Sequence, residues 1–156
     1  MKFILAPLLL AASTLAQSIS IADPADGATL TAGSPMNVEL DFPNSLTGVK
    51  HVSVVISFLS CGVQPCDMGA DQILGNVLYS GNYTPAYTTD DAAKPPNQNF
   101  TLTIPSEAST GAGLLNVAHF YLVGASAQPI LEYKNISFNL QAPASQRRGC
   151  NAKFCL

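Results

Sequence analysis

Four cysteines, two histidines and ten acidic residues are the groups that could do chemistry in this chain of 156 residues. Cys61, Cys66, Cys150 and Cys155 form two local pairs of C-x4-C spacing. Cys61-Gly62-Val63-Gln64-Pro65-Cys66 holds a Gly and a Pro, so its backbone can turn tightly enough to bring two sulfurs together. A Cys61–Cys66 bridge is therefore favoured over a bridge to the tail, and the pair Cys150 and Cys155 is the weaker candidate. Zinc is the sharper alternative for four thiols. Zinc ligands are usually two to four residues apart, and no histidine lies nearby, which disfavours it.

The histidines are His51 and His119. His119 stands in the apolar run Val117-Ala118-His119-Phe120-Tyr121 and reads as a hydrogen-bonded residue of the core or sheet surface rather than a base. His51 opens a strand and is expected to face solvent. No Gly-x-Ser-x-Gly elbow is present, and Gly124-Ala125-Ser126-Ala127 lacks its spacing and strand-to-helix context. An oxidative copper enzyme of the secreted fungal type would need histidine as its first mature residue, and neither Gln17 nor Ser18 supplies one. Paired carboxylates for glycosidase chemistry would come from acids in turn contexts: Asp23, Asp26, Asp67, Asp71, Asp90 and Asp91. Their ordinary role is to form turns and solvate the surface. Asp90-Asp91 lacks the regular ligand spacing of a calcium loop. The expectation is a protein that is not an enzyme, with no catalytic residue, no metal and no cofactor.

The compartment is read from the first residues. Lys2 gives a positive start, residues 3–12 an apolar stretch, and Thr14-Leu15-Ala16 a small-x-small cleavage site, together a secretory signal peptide over 1–16. The apolar stretch is shorter than the ~20 residues of a membrane span. The same holds for 114–123, which also contains Asn116 and His119. Taking Lys2 from the 7 bases leaves 6 against 10 acids, a net charge of −4. That balance disfavours nucleic acid or an anionic membrane as partner. Asn82-Tyr83-Thr84, Asn99-Phe100-Thr101 and Asn135-Ile136-Ser137 are N-glycosylation sequons, which fits export.

The elements that must position these groups read as strands. Met36, Val38, Leu40 and Phe42 alternate with polar residues, as do Phe100, Leu102 and Ile104 with threonines. Residues 49–59, rich in β-branched side chains, and 73–79 are further strands. The run 114–123 is almost continuously apolar, the signature of a strand covered on both faces. A short strand at 19–22 leads into turns marked by Pro24, Gly27 and Gly33. Residues 130–132 and 135–140 form one strand or a broken pair. Seven to eight short strands, with no helical period, predict an all-β antiparallel sandwich of immunoglobulin or fibronectin type III character over 17–141. The composition from 142 to 156 is that of a flexible tail. Arg147-Arg148 lies within it as a dibasic pair that a secretory protease could cut, or two solvated arginines.

The order of short motifs carries a resemblance. Leu74-Gly75-Asn76-Val77-Leu78-Tyr79, Asn99-Phe100-Thr101, Ile104-Pro105, Gly113, Phe120-Tyr121-Leu122-Val123-Gly124-Ala125-Ser126, Pro129 and Tyr133-x-Asn135 follow one another along most of the mature domain. In this the chain resembles the necrosis-inducing secreted protein family of fungal effectors. The resemblance implies a secreted protein without enzymatic activity that suppresses plant pattern-triggered immunity. It would do so by binding a receptor-like kinase or its cytoplasmic partner kinase, with entry into host cells. The family brings no catalytic residues. The cysteine loop, the loop 80–98 and the cysteine-containing tail depart from its pattern, which leaves the host target open.

The 80–98 loop is a candidate contact region, with Tyr83 and Tyr87 as exposed anchors, because exposed tyrosines make good interface contacts. A glycosylated and mobile surface loop is an equally good reading of the same residues. Of a different class is a cell-wall structural or carbohydrate-binding module. The pattern of Pro24, Gly27 and Gly33 resembles the opening of wall-associated fungal sandwich domains, although the chain has no Trp for sugar stacking. A small hydrolase would require residues distant in sequence to meet in space.

Overall fold

The structure, a computed structural model, describes residues 18–44, 47–62, 66–89, 91 and 93–143. The expected leader 1–16, Cys150, Cys155 and the Arg147-Arg148 pair lie outside the described residues. Eight strands follow one another: β1 (Ser20–Asp23), β2 (Ala28–Thr31), β3 (Pro35–Asp41), β4 (Val49–Ser60), β5 (Asn76–Gly81), β6 (Asn97–Thr103), β7 (Gly111–Val123) and β8 (Gln128–Gln141). They form a three-stranded sheet, β1-β3-β6, facing a five-stranded sheet, β2-β8-β7-β4-β5. The all-β sandwich predicted from alternation is the architecture observed. Its one parallel pair is β2 beside β8, with Ala28 opposite Phe138 and Thr31 opposite Gln141.

Alternation explains the core. Val38 pairs with Phe100 across β3 and β6, and Met36 with Leu102, so one face of the small sheet is apolar. Val54, Ile56 and Phe58 of β4, Leu115, Val117 and Tyr121 of β7, and Phe138 and Leu140 of β8 meet that face from the large sheet. Each fully buried aliphatic or aromatic side chain contributes about 1.5–3 kcal/mol over its exposed state. Tyr79 of β5 and Phe100 of β6, with ring centroids 4.8 Å apart, close one flank between the sheets.

The long apolar run became β7, covered on both sides as its composition implied. One side lies on the core. Over the other folds the segment 69–75, placed by sequence reasoning partly in a strand. Asn116 donates from Nδ2 to the Leu74 carbonyl at 3.0 Å, and the Ser57 hydroxyl donates to the same carbonyl at 2.7 Å. Gly75 permits this close approach. Its φ is +82°, and a Cβ there would overlap the Phe58 carbonyl.

Two further boundaries differ from the sequence reading. Residues 28–31, read as turn, form β2. Asp26 fixes them by accepting from both the backbone N–H and the hydroxyl of Ser137 through Oδ1, at 2.8 and 2.7 Å. Those bonds hold the Asp26 carboxyl below its usual range. β8 runs unbroken through residues 133 and 134 because every position from Gln128 to Leu140 has a partner on β7.

Candidate functional site

Both histidines turn toward the core at one end of the large sheet, His119 fully buried and His51 half-buried beside an open cleft. His119 of β7 is directly opposite Glu132 of β8, and His51 of β4 is opposite Tyr121 of β7. All four side chains therefore belong to the core face. His119 is 0% exposed. Its Nδ1 lies 2.9 Å from Glu132 Oε1, and its Nε2 lies 3.0 Å from His51 Nδ1. Glu132 also accepts from the Ser18 hydroxyl at 2.8 Å and the Ile19 backbone N–H at 3.0 Å. Burial would raise its pKa, but the bonds from His119, Ile19 and Ser18 outweigh that and hold it below its usual value.

An ionised Glu132 takes the hydrogen on His119 Nδ1. With both rings neutral, His51 Nδ1 then donates to His119 Nε2, and His51 Nε2 bears no hydrogen. Burial first, then the neighbouring His119 charge, lowers the His51 pKa from 6.5 to about 4. Aromatic rings complete the cluster. Phe42 meets His51 edge-on at 4.7 Å, and Tyr121 stacks on His119 at 4.7 Å. The Ser18 hydroxyl reaches the carboxylate and not an imidazole. The order of bonding is thus not the serine–histidine–carboxylate order that activates a nucleophile.

His51 was expected in solvent, and the structure corrects this. Counting alternate residues back from Val54 puts residue 51 on the outer face. A β-bulge between His51 and Ser53 inserts the extra Val52 and flips the parity, turning His51 inward. The Glu132 contact escaped sequence reasoning altogether. A signal did exist: a hairpin turning at residues 124–127 brings position 119 opposite position 132.

Tyr83 also departs from expectation. Proposed as an exposed anchor, it is 2% exposed, packs edge-on against His51 and His119 at 5.0 and 5.1 Å, and donates to the Leu40 carbonyl at 3.0 Å. Burial and the nearby Asp41 and Glu132 charges push its pKa upward. It is an internal fastening of loop 82–96. Paired N–H···O bonds between Ala86 and Asn97, the Phe42 N–H on the Pro96 carbonyl, and a 2.6 Å Lys94–Glu39 ion pair fasten the same loop. Tyr87, by contrast, is 59% exposed and accepts from the Asn44 amide at 3.2 Å. With Phe42, Asn44, His51, Pro85 and Pro96 it lines an open cleft of about 290 Å3.

Cys61 and Cys66 are joined in a disulfide, the local pairing favoured by spacing. Asn82, Asn99 and Asn135, the sequon asparagines, are all exposed. Asn99 Oδ1 is engaged by the Asn37 amide at 2.7 Å. Among the described residues, no group of three or more His, Cys, Asp or Glu is arranged to hold a metal ion. No described helix is long and apolar enough to cross a membrane.

Against this geometry, the Nis1 family model matches residues 14–139, which takes in seven whole strands and nearly all of β8. The chain belongs to the Nis1 family. Membership makes it an effector-like protein. No curated protein sequence matches it. Among solved structures it is similar to a superoxide reductase (neelaredoxin) from Ignicoccus hospitalis, at 16% identity and a TM-score of 0.43, with 80% of each chain covered. It is also similar to fibronectin(III)-like modules of Clostridium thermocellum CbhA, at 16% identity and a TM-score of 0.38, covering 81% of this chain and 47% of that one.

Proposed function

We propose that this Nis1-family protein is exported and, without enzymatic activity, suppresses plant pattern-triggered immunity. Its partner is an immune receptor-like kinase or the cytoplasmic kinase that works with it, reached after entry into host cells. Family membership across 14–139 carries the reading. The oxidised Cys61–Cys66 pair supports export, since disulfides persist in oxidising compartments. For the contact surface, Tyr87 beside its open cleft is the anchor. It is a large exposed ring on a loop fastened by Tyr83 and by Lys94, so little ordering entropy is lost when a partner docks.

The test is a pull-down from plant extract with the purified mature protein, followed by kinase assay of the captured material. Enrichment of receptor-like kinases with reduced activity is expected, and Tyr87→Ala should weaken capture at least ~10-fold. No enrichment over a denatured control would overturn the reading. Co-sedimentation with chitin or β-glucan in place of kinase capture would move the assignment to a wall-associated module.

A further inference from the structure

Alternation along β8 leaves one stretch of the outer face of the large sheet uncovered. Leu131, Tyr133 and Asn135 are two residues apart and share that face. Leu131 is 55% exposed and Tyr133 36%. On β7 their partners are Phe120, Ala118 and Asn116. Over Asn116 the covering segment 69–75 comes to rest, through the bonds from Asn116 Nδ2 to the carbonyls of Ile73 and Leu74. Between the edge of that segment and β8 runs a cleft of about 480 Å3. Leu131, Tyr133, Lys134 and Asn135 line one side, Ala70 and Asp71 the other. Asn135 is the acceptor of the sequon Asn135-Ile136-Ser137.

We infer that Asn135 carries an N-linked glycan whose first sugar lies in this cleft, stacked on Tyr133 and Leu131. The occupant is the chain's own modification, because the acceptor asparagine is part of the cleft wall and shares the outer face with the exposed ring. A hexosamine has an apolar face of C–H groups that suits an aromatic ring and polar edges that suit Asp71. The volume falls in the range of about 300–1,000 Å3 that takes small ligands. A free sugar would bind such a shallow site weakly. A tethered one is present at an effective concentration on the order of mM, so a weak contact is enough. The same contact shields apolar surface that would otherwise meet solvent.

In the attachment step the Asn135 amide nitrogen forms a bond to C1 of the first sugar. The bond from C1 to the diphosphate oxygen of a lipid-linked oligosaccharide breaks, the lipid diphosphate leaves, and one amide proton is lost. That step precedes folding, because in the folded chain the Ser137 hydroxyl of the sequon is committed to Asp26. The inference requires passage through a glycosylating secretory pathway but not kinase binding, so the two can fail separately.

The experiment uses the full chain secreted by a glycosylating yeast. Glycopeptide mass spectrometry is expected to find Asn135 occupied. Asn135→Gln should lower the melting temperature by about 3–6 °C, against about 1 °C or less for Asn82→Gln and Asn99→Gln. In a Tyr133→Ser background the loss from Asn135→Gln should shrink to about 1 °C. Trimming the glycan to its first sugar with an endoglycosidase should leave the wild-type melting temperature unchanged, a readout that needs no substitution. An unoccupied Asn135 in the secreted protein overturns the inference. So does a loss from Asn135→Gln that is undiminished in the Tyr133→Ser background, or a fall in melting temperature on trimming equal to that of Asn135→Gln.

Discussion

Loop 82–96 is fastened from inside at its start, where the Tyr83 ring packs edge-on against both His51 and His119 and its hydroxyl reaches the Leu40 carbonyl. Four residues on, the Tyr87 ring stands in solvent beside an open cleft. The two tyrosines carry the same chemistry into opposite environments. The buried ring contributes stability and the exposed ring contributes a surface. The second role depends on the first, since a ring on a fastened loop is presented in one place at little further loss of entropy on binding.

That division can be broken most forcefully at Tyr83. Tyr83→Ala should cost about 3–5 kcal/mol in urea unfolding, and Tyr83→Phe, which keeps the ring but loses the bond to Leu40, about 1 kcal/mol. Next is the histidine pair behind it. His119→Leu leaves Glu132 without one of its donors and should cost about 2–4 kcal/mol in the same measurement.

Smaller again is the effect of pH. His51 protonates near pH 4 in the folded chain against 6.5 unfolded, so between those values the unfolded chain binds more protons. Stability is complete above about pH 6.5 and falls as pH drops toward 4. The loss is about 1–2 kcal/mol once the ring's partial contact with solvent is allowed for. Glu132, whose pKa is lowered, keeps its contribution until pH falls below the usual carboxylate range and then loses it, steepening the acid limb. His51→Asn should flatten the decline between pH 6.5 and 4 in thermal melts. The smallest effect on stability belongs to Tyr87→Ala, within about 0.5 kcal/mol of wild type, although it should weaken kinase capture at least ~10-fold. A Tyr87→Ala protein as unstable as Tyr83→Ala would erase the distinction between the two ends.

What the sequence made legible follows the same line. Strands β3, β4, β6 and β7 announce themselves because alternation and apolar runs are local properties. β2 does not. Its four residues become a strand only through Asp26 and a partner more than a hundred positions away. The site was less legible than the fold for a similar reason. One extra residue at Val52 decides which way His51 points, and only tertiary packing decides that Tyr83 is buried while Tyr87 is not. The bridge between Cys61 and Cys66 was readable because five positions of chain with Gly and Pro suffice to define it.

The bonds from Ser18 and Ile19 to Glu132, 114 and 113 positions apart, also set a timetable for a chain made from its amino end. A ribosome adding about 5–20 residues per second needs on the order of 10 s to supply Glu132 after Ser18 has emerged. Once made, β2 waits through the rest of that interval without its neighbour β8, and His119 emerges before its carboxylate. Closure of the large sheet therefore waits until residue 132 and the rest of β8 have been made. A nascent chain halted before residue 132 would lack these bonds and remain a client of chaperones.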